Sequence, residues 1–212
     1  MSDLLSTISE KLQNGKAKEV VALTEQAMAE GIPPQRILDE GLLAGMSVIG
    51  DLFKRNEVYV PQVLVAARAM NKGVEVLKPA LTAEGVQPRG VGVIGTVKGD
   101  LHDIGKNLVK MMMEGKGIHM VDLGVDVDPE TFVKAAREND ASVICCSALL
   151  TTTMGEMRQV VDLVRESDLD VKVMVGGAPL TQAFCDQIGA DCYTADAASA
   201  ADRALAFCTG AQ

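Results

Sequence analysis

No uninterrupted apolar run in the 212 residues approaches the roughly 18 that a membrane span requires. Clusters of Lys and Arg are missing as well, and 20 basic against 29 acidic residues leave a net charge of −9. That balance argues against a nucleic-acid partner, because phosphate binding needs gathered positive charge. The start, Met1 to Thr7, has no basic stretch leading an apolar one, so no signal peptide is read there and the chain is expected to be cytoplasmic. The five cysteines are odd in number and show no Cys-x-x-Cys spacing, which excludes a disulfide framework or a thiolate zinc site. Cys145 and Cys146 sit in the apolar run Ser142–Cys146, where small buried thiols are the rule, and all five are read as structural. What remains is ordinary: 48% hydrophobic and 23% charged residues, in a chain long enough to bury a core.

Two different periodicities divide the chain. Up to about residue 80 the spacing is helical, with a first helix capped by Ser2 or Asp3 and ending near Asn14-Gly15, and a second from Lys16 to Glu30. Pro33 and Pro34 suit a third helix start, followed by Ile37, Leu38, Leu42, Met46, Ile49 and Phe53. A fourth helix places Val60, Val63, Leu64, Ala67, Met70, Val74 and Leu77 on one face, up to Pro79. Residues 81–90 carry turn formers without a period and read as the linker, giving a helical domain over 1–85 and a second domain over 86–212.

After the linker, strands at about 91–96, 118–123, 142–147, 172–176 and 191–194 alternate with helices near 105–116, 129–139, 154–167, 180–188 and 197–208. Asp128-Pro129-Glu130 reads as a capped helix start. The fold class is therefore α/β, a four-helix bundle followed by a five-stranded, Rossmann-like (flavodoxin-like) parallel sheet. Ligands on such sheets bind beyond the carboxyl ends of the strands.

The first of those ends carries Gly99-Asp100-Leu101-His102-Asp103-Ile104-Gly105-Lys106-Asn107. Asp100, two residues before His102, is close enough to accept from one ring nitrogen, fixing the tautomer and freeing the other nitrogen for a metal. Gly105 leaves room for a bulky group at the start of the helix. His119 is expected to be a satisfied strand histidine. Lys106 suits either a phosphate partner or a solvated lysine.

The whole stretch Gly95–Asn107 resembles the cobalamin-binding signature of methionine synthase and of the small corrinoid proteins of the methanol, methylamine and betaine methyltransferase systems. Asp122-Leu123-Gly124, Ser147–Thr153 and Gly176-Gly177-Ala178-Pro179 continue that pattern in order, and Gly45–Phe53 with Val60–Val63 look like its helical cap. The resemblance implies cobalamin held by the loop Gly99, Asp100, Leu101, His102, Asp103, Ile104 and Gly105, with His102 as the lower ligand of cobalt. It implies that Ser147 and Thr151 line the pocket of the nucleotide tail, that Leu149 lies against its benzimidazole, and that Gly176 and Gly177 let the tail pass. Thr153 would complete a relay with Asp100 and His102, a threonine standing where methionine synthase has serine. Phe53 and Val60 would cover the upper face, Val60 being smaller than the family's leucine.

The function so implied is a methyl carrier. A substrate:corrinoid methyltransferase would load cobalt, a second methyltransferase would pass the methyl group to tetrahydrofolate or a thiol, and a reductive activator would rescue oxidised cobalt. Three other readings share parts of the pattern. A cobalamin-sensing module needs an output domain, for which residues 1–34 are too few and too acidic. The small subunit of an adenosylcobalamin mutase shares the Asp-x-His-x-x-Gly loop but begins directly at the first strand. A flavodoxin-like domain without corrinoid requires three coincident loops.

Overall fold

Spacing of the apolar side chains explains the helical part residue by residue. The computed structural model describes residues 2–210; the side chains of Ser2 and Asp3, expected to cap the first helix, lie outside what it describes. The chain divides into two compact units, Met1–Gln87 and Pro88–Gln212. In the first, α1 (Ser2–Gln13) and α2 (Ala17–Ala29) are followed by α3 (Pro34–Arg36), which runs through a π-helical stretch, Ile37–Leu43, into α4 (Ala44–Lys54). Leu38, Leu42 and Met46 recur at ordinary helical spacing, so nothing in the sequence announces the wider turn; burial of Ile37 rather than Leu38 reveals it. Ile37 and Leu42 are five residues apart, and a turn of that width brings both onto the buried face that Met46 and Ile49 continue.

The last helix of this unit, α5 (Val60–Ala83), opens with Tyr59 N donating to Gln62 Oε1 at 3.1 Å. It continues four residues past Pro79, where the sequence placed its end. Proline forfeits a single ladder bond there, and the chain closes one more turn, with Thr82 Oγ1 donating to Lys78 O at 2.9 Å. The buried face is Val63, Ala66, Ala67, Ala69, Met70, Gly73 and Leu77, which packs along α2. Leu64, expected on that face, is exposed because it lies off the centre of the stripe.

The second unit is a doubly wound sheet. Strands β1 (Gly90–Thr96), β2 (Ile118–Asp122), β3 (Val143–Ser147), β4 (Lys172–Gly176) and β5 (Cys192–Tyr193) are all parallel, in the order β2-β1-β3-β4-β5. Helices α6 (Ile104–Glu114), α7 (Pro129–Glu138), α8 (Met154–Glu166), α9 (Gln182–Ile188) and α10 (Ala197–Thr209) make the crossovers. On one face Val93, Ile144, Cys146 and Val175 bury against Phe132, Met157, Val160 and Val161. On the other, Cys145 Sγ meets Met113 Sδ at 3.8 Å, with α6 packed on α10.

Two expected details differ. α7 begins at Pro129 as read, but the Asp128 carboxylate does not cap it and instead pairs with Lys98 Nζ at 2.6 Å. α9 starts at Gln182 rather than near 180, because Thr181 Oγ1 accepts from Phe184 N and sets the boundary. All five cysteines are free thiols, and burial pushes the Cys145 thiol up to about 12. No helix among the described residues is long and apolar enough to cross a membrane.

The strand order reverses between β1 and β3, so the loops after those strands flank the crevice where such sheets receive ligands.

Candidate functional site

β1 delivers the chain into a tight turn in which Asp100 N donates to Val97 O at 3.1 Å. Gly99 takes φ +78°, the left-handed conformation that the third position of such a turn favours. Its N–H donates to Asp126 Oδ1 at 2.7 Å, while Asp126 N donates to Asp100 O at 3.0 Å. The loop after β2 thus grips the loop after β1 on both sides of Asp100.

Asp100 is 0% exposed. Its Oδ1 accepts from His102 N at 3.0 Å and from His102 Nδ1 at 2.7 Å. Its Oδ2 accepts from Leu149 N at 2.8 Å, Leu150 N at 3.1 Å and Thr153 Oγ1 at 3.0 Å. Burial works to raise the pKa of this group, but the donors from His102, Leu149 and Leu150 outweigh it and hold the carboxyl below the usual carboxylate range. A carboxylate kept ionised can only accept, so Nδ1 carries the ring hydrogen. Nε2 is left as the ring's outward nitrogen; the His102 side chain is 52% exposed, and Nε2 has no hydrogen-bond partner among the described residues.

Thr153 stands at the cap position of α8 yet makes no capping bond. Its hydroxyl lies between Asp100 Oδ2 at 3.0 Å and Leu150 O at 2.9 Å, two acceptors for one hydrogen. Thr96, fully buried, donates from Oγ1 to His102 O at 2.8 Å and pins the main chain behind the ring.

The surroundings are open and apolar. Leu101 and Ile104 flank His102 at 71% and 79% exposure, and Leu149 and Leu150 are exposed on the neighbouring loop. A Cβ added to Gly105 or to Gly176 would meet nothing within 4 Å. Thr96, Ser147 and Gly176 stand in one register row across β1, β3 and β4, at the carboxyl edge of the sheet. Gly177 is required by the protein's own backbone, whatever passes beside it: at φ +140° its added Cβ would fall on the Ala148 carbonyl oxygen.

The structure therefore brings Asp100, His102 and Thr153 into one hydrogen-bonded cluster, with Gly99, Leu101, Asp103, Ile104, Gly105, Ser147, Leu149 and Gly176 around it. Thr151 is exposed on the β3–α8 loop. Phe53 ends near the last turn of α4 and Val60 opens α5, both part-exposed within the helical unit. His119 is exposed on the edge strand β2, not satisfied within it.

Lys106 is the clearest correction. Neither solvated nor free for a phosphate, its side chain is 2% exposed and its Nζ donates to Asp122 Oδ1 at 2.6 Å and Asn107 Oδ1 at 2.8 Å. Thr96, Lys106 and Asp126 were all missed as site residues. For Lys106 one signal existed, since Lys106 and Lys110 share a helix face and both pair with Asp122. Nothing local marks Thr96 or Asp126.

Chemically the cluster offers one oriented imidazole nitrogen. No group of three or more His, Cys, Asp or Glu side chains among the described residues could hold a metal ion. A metal bound at His102 must therefore bring its other ligands in a chelate of its own, and the uncrowded, apolar ground beside Gly105 and Gly176 has room for a bulky one.

Comparison with known proteins points the same way. Two models, each described as a B12 binding domain, match residues 90–206 and residues 4–78. The chain is 44% identical over 203 residues to the dimethylamine corrinoid protein 3 of Methanosarcina acetivorans, covering 95% of each. It is 44% identical over 181 residues to the trimethylamine corrinoid protein 1 of Methanosarcina mazei, covering 84% of this chain and 82% of that one. Among solved structures, a chain of the methanol:cobalamin methyltransferase complex MtaBC from Methanosarcina barkeri superimposes with a TM-score of 0.89 at 30% identity, over 98% of this chain and 80% of that chain.

Proposed function

Because this chain belongs to the B12-binding family of corrinoid proteins, we propose that it carries a methyl group on cobalamin from a methylamine:corrinoid methyltransferase to a second, acceptor-specific methyltransferase. The observation that carries the reading is the Asp100–His102 pair: a buried, ionised carboxylate 2.7 Å from Nδ1, with Nε2 left free at the sheet edge. When bound, cobalamin supplies a cobalt centre able to accept and release the methyl group.

The chain's own residues supply position. His102 Nε2 would hold the cobalt, and Asp100 fixes the ring's tautomer and orientation through Nδ1. The donors of His102, Leu149 N and Leu150 N hold the carboxylate ionised, Thr153 Oγ1 lies within hydrogen-bond distance of the same carboxylate, and Thr96 holds the main chain of His102. Leu101 and Ile104, exposed beside His102, would offer the group apolar contact, and Gly99, Asp103 and Gly105 would complete the loop that seats it. Ser147, Thr151, Leu149, Gly176 and Gly177 line the path of the nucleotide tail. A methylated amine is the donor, in keeping with the dimethylamine and trimethylamine corrinoid proteins to which the chain is similar over 95% and 84% of its length. The acceptor is tetrahydrofolate or a thiol, a reductive activator restores oxidised cobalt, and the setting is cytoplasmic.

The test is the visible spectrum of protein reconstituted with methylcobalamin and freed of unbound cofactor, wild type beside His102→Ala. The wild type should show nitrogen-ligated cobalt and the variant a base-off spectrum. Identical spectra, or no retained corrinoid in the wild type, would overturn the axial role. Methyl transfer from mono-, di- and trimethylamine with their methyltransferases then assigns the donor.

A further inference from the structure

A buried ammonium is costly unless its donors are matched, and replacing such an ion pair with apolar side chains is often neutral for stability. Lys106 is nonetheless buried at the third position of α6, four residues after His102. Its bonds trace a path. Asp122, at the carboxyl end of β2, accepts on Oδ1 from Lys106 Nζ and from Gly124 N at 3.0 Å, and on Oδ2 from Lys110 Nζ at 3.2 Å. Opposing its burial, these donors hold the Asp122 carboxyl below its ordinary range, so it stays an acceptor. The first turn of α6 is thereby tied to the sheet.

The second bond of Lys106 sets an orientation. An ammonium has donors only, so Asn107 must present Oδ1 to it. That commits Asn107 Nδ2 to the other side, where it donates to Asp103 Oδ2 at 3.1 Å, while Asn107 N donates to Asp103 O at 2.8 Å. Asp103 is the residue immediately after His102, on a loop held before the histidine by Asp126 and the Asp100 carboxylate and at His102 O by Thr96 Oγ1. We propose that Lys106 is a positioning residue for the metal ligand, its buried ammonium clamping α6 to β2 and locking the Asn107 amide onto Asp103, so that His102 is presented in one orientation.

This rests on the reading of His102 as the lower ligand of cobalt. The experiment compares wild type, Lys106→Met, Asn107→Leu and His102→Ala, each reconstituted with methylcobalamin, by bound corrinoid per chain, the ratio of base-off to base-on absorbance at fixed neutral pH, and thermal unfolding of the apoproteins. Lys106→Met and Asn107→Leu should each keep a cooperative transition and bind corrinoid, yet raise the base-off to base-on ratio about tenfold, the lower end of what loss of an outer-shell partner produces at metal sites. A wild-type ratio in folded, loaded Lys106→Met overturns the proposal. Should Lys106→Met fail to fold, Asn107→Leu decides alone, because it leaves the Lys106–Asp122 pair in place: a raised ratio supports the clamp and an unchanged one overturns it. If His102→Ala is itself indistinguishable from wild type, it is the axial reading that fails and the clamp falls with it, a pattern distinct from failure of the clamp alone.

Discussion

Asp100 Oδ2 lies 2.8 Å from Leu149 N, joining the end of β1 to the loop after β3 across 49 residues of sequence. With Leu150 N and Thr153 Oγ1 on the same oxygen, the carboxylate is both a tuner of His102 and a staple between the two loops that flank the crevice. Asp100→Asn should therefore destabilise the apoprotein, since one half of the amide must turn N–H toward donors. Hydrogen bonds to charged groups set the scale, about 2 kcal/mol, read as a fall in the urea midpoint without a change in slope.

The same group gives stability a pH dependence of definite sign. Its folded pKa is depressed, so its contribution is complete above the unfolded value of about 3.9 and is lost as pH falls through the folded one. The urea midpoint of the wild-type apoprotein should fall more steeply from pH 5 to pH 3 than that of Asp100→Asn. Parallel curves would mean that Asp100 is not held ionised by its donors.

Gly176 and Gly177 separate a glycine the protein needs from one it can spare. A Cβ at Gly177 would overlap the Ala148 carbonyl at a φ that side chains rarely adopt, so Gly177→Ala should fold poorly or lose at least about 3 kcal/mol. At Gly176 the added methyl enters open space, and Gly176→Ala should unfold within about 0.5 kcal/mol of wild type. If the nucleotide tail passes there, that stable variant retains less corrinoid after gel filtration. Full retention would move the tail elsewhere.

The parts of this molecule that are legible in sequence are those governed by local rules. The parallel strands announce themselves as short apolar runs between helical stretches, and Asp100 is close enough to His102 in sequence for their bond to be read directly. The π-helical stretch is not among them, because Leu38, Leu42 and Met46 keep ordinary helical spacing and only burial singles out Ile37. Other features depend on what tertiary structure places nearby. Lys106 reads as solvated until β2 brings Asp122 against it, and Asp128 reads as a cap until Lys98 competes for its carboxylate. Thr153 has the sequence position of a cap and gives that role up because Asp100, 53 residues earlier, accepts its hydroxyl.

Thr153 also offers the sharpest dissection of the cluster. Thr153→Ser keeps the hydroxyl and sheds a methyl, whereas Thr153→Val keeps the shape and removes the donor. If the hydroxyl matters as a donor to Asp100, the valine variant should lose about 1 kcal/mol of apoprotein stability, the usual net worth of one hydrogen bond, and the serine variant clearly less. With methylcobalamin bound, only the valine variant should raise the base-off fraction, because Asp100 then depends on Leu149 N and Leu150 N alone at Oδ2. Equal losses in both variants would place the contribution in the methyl group's packing. A stable valine variant with a wild-type spectrum would show instead that the hydroxyl spends its hydrogen on Leu150 O, 2.9 Å away, and leaves the histidine's partner untouched.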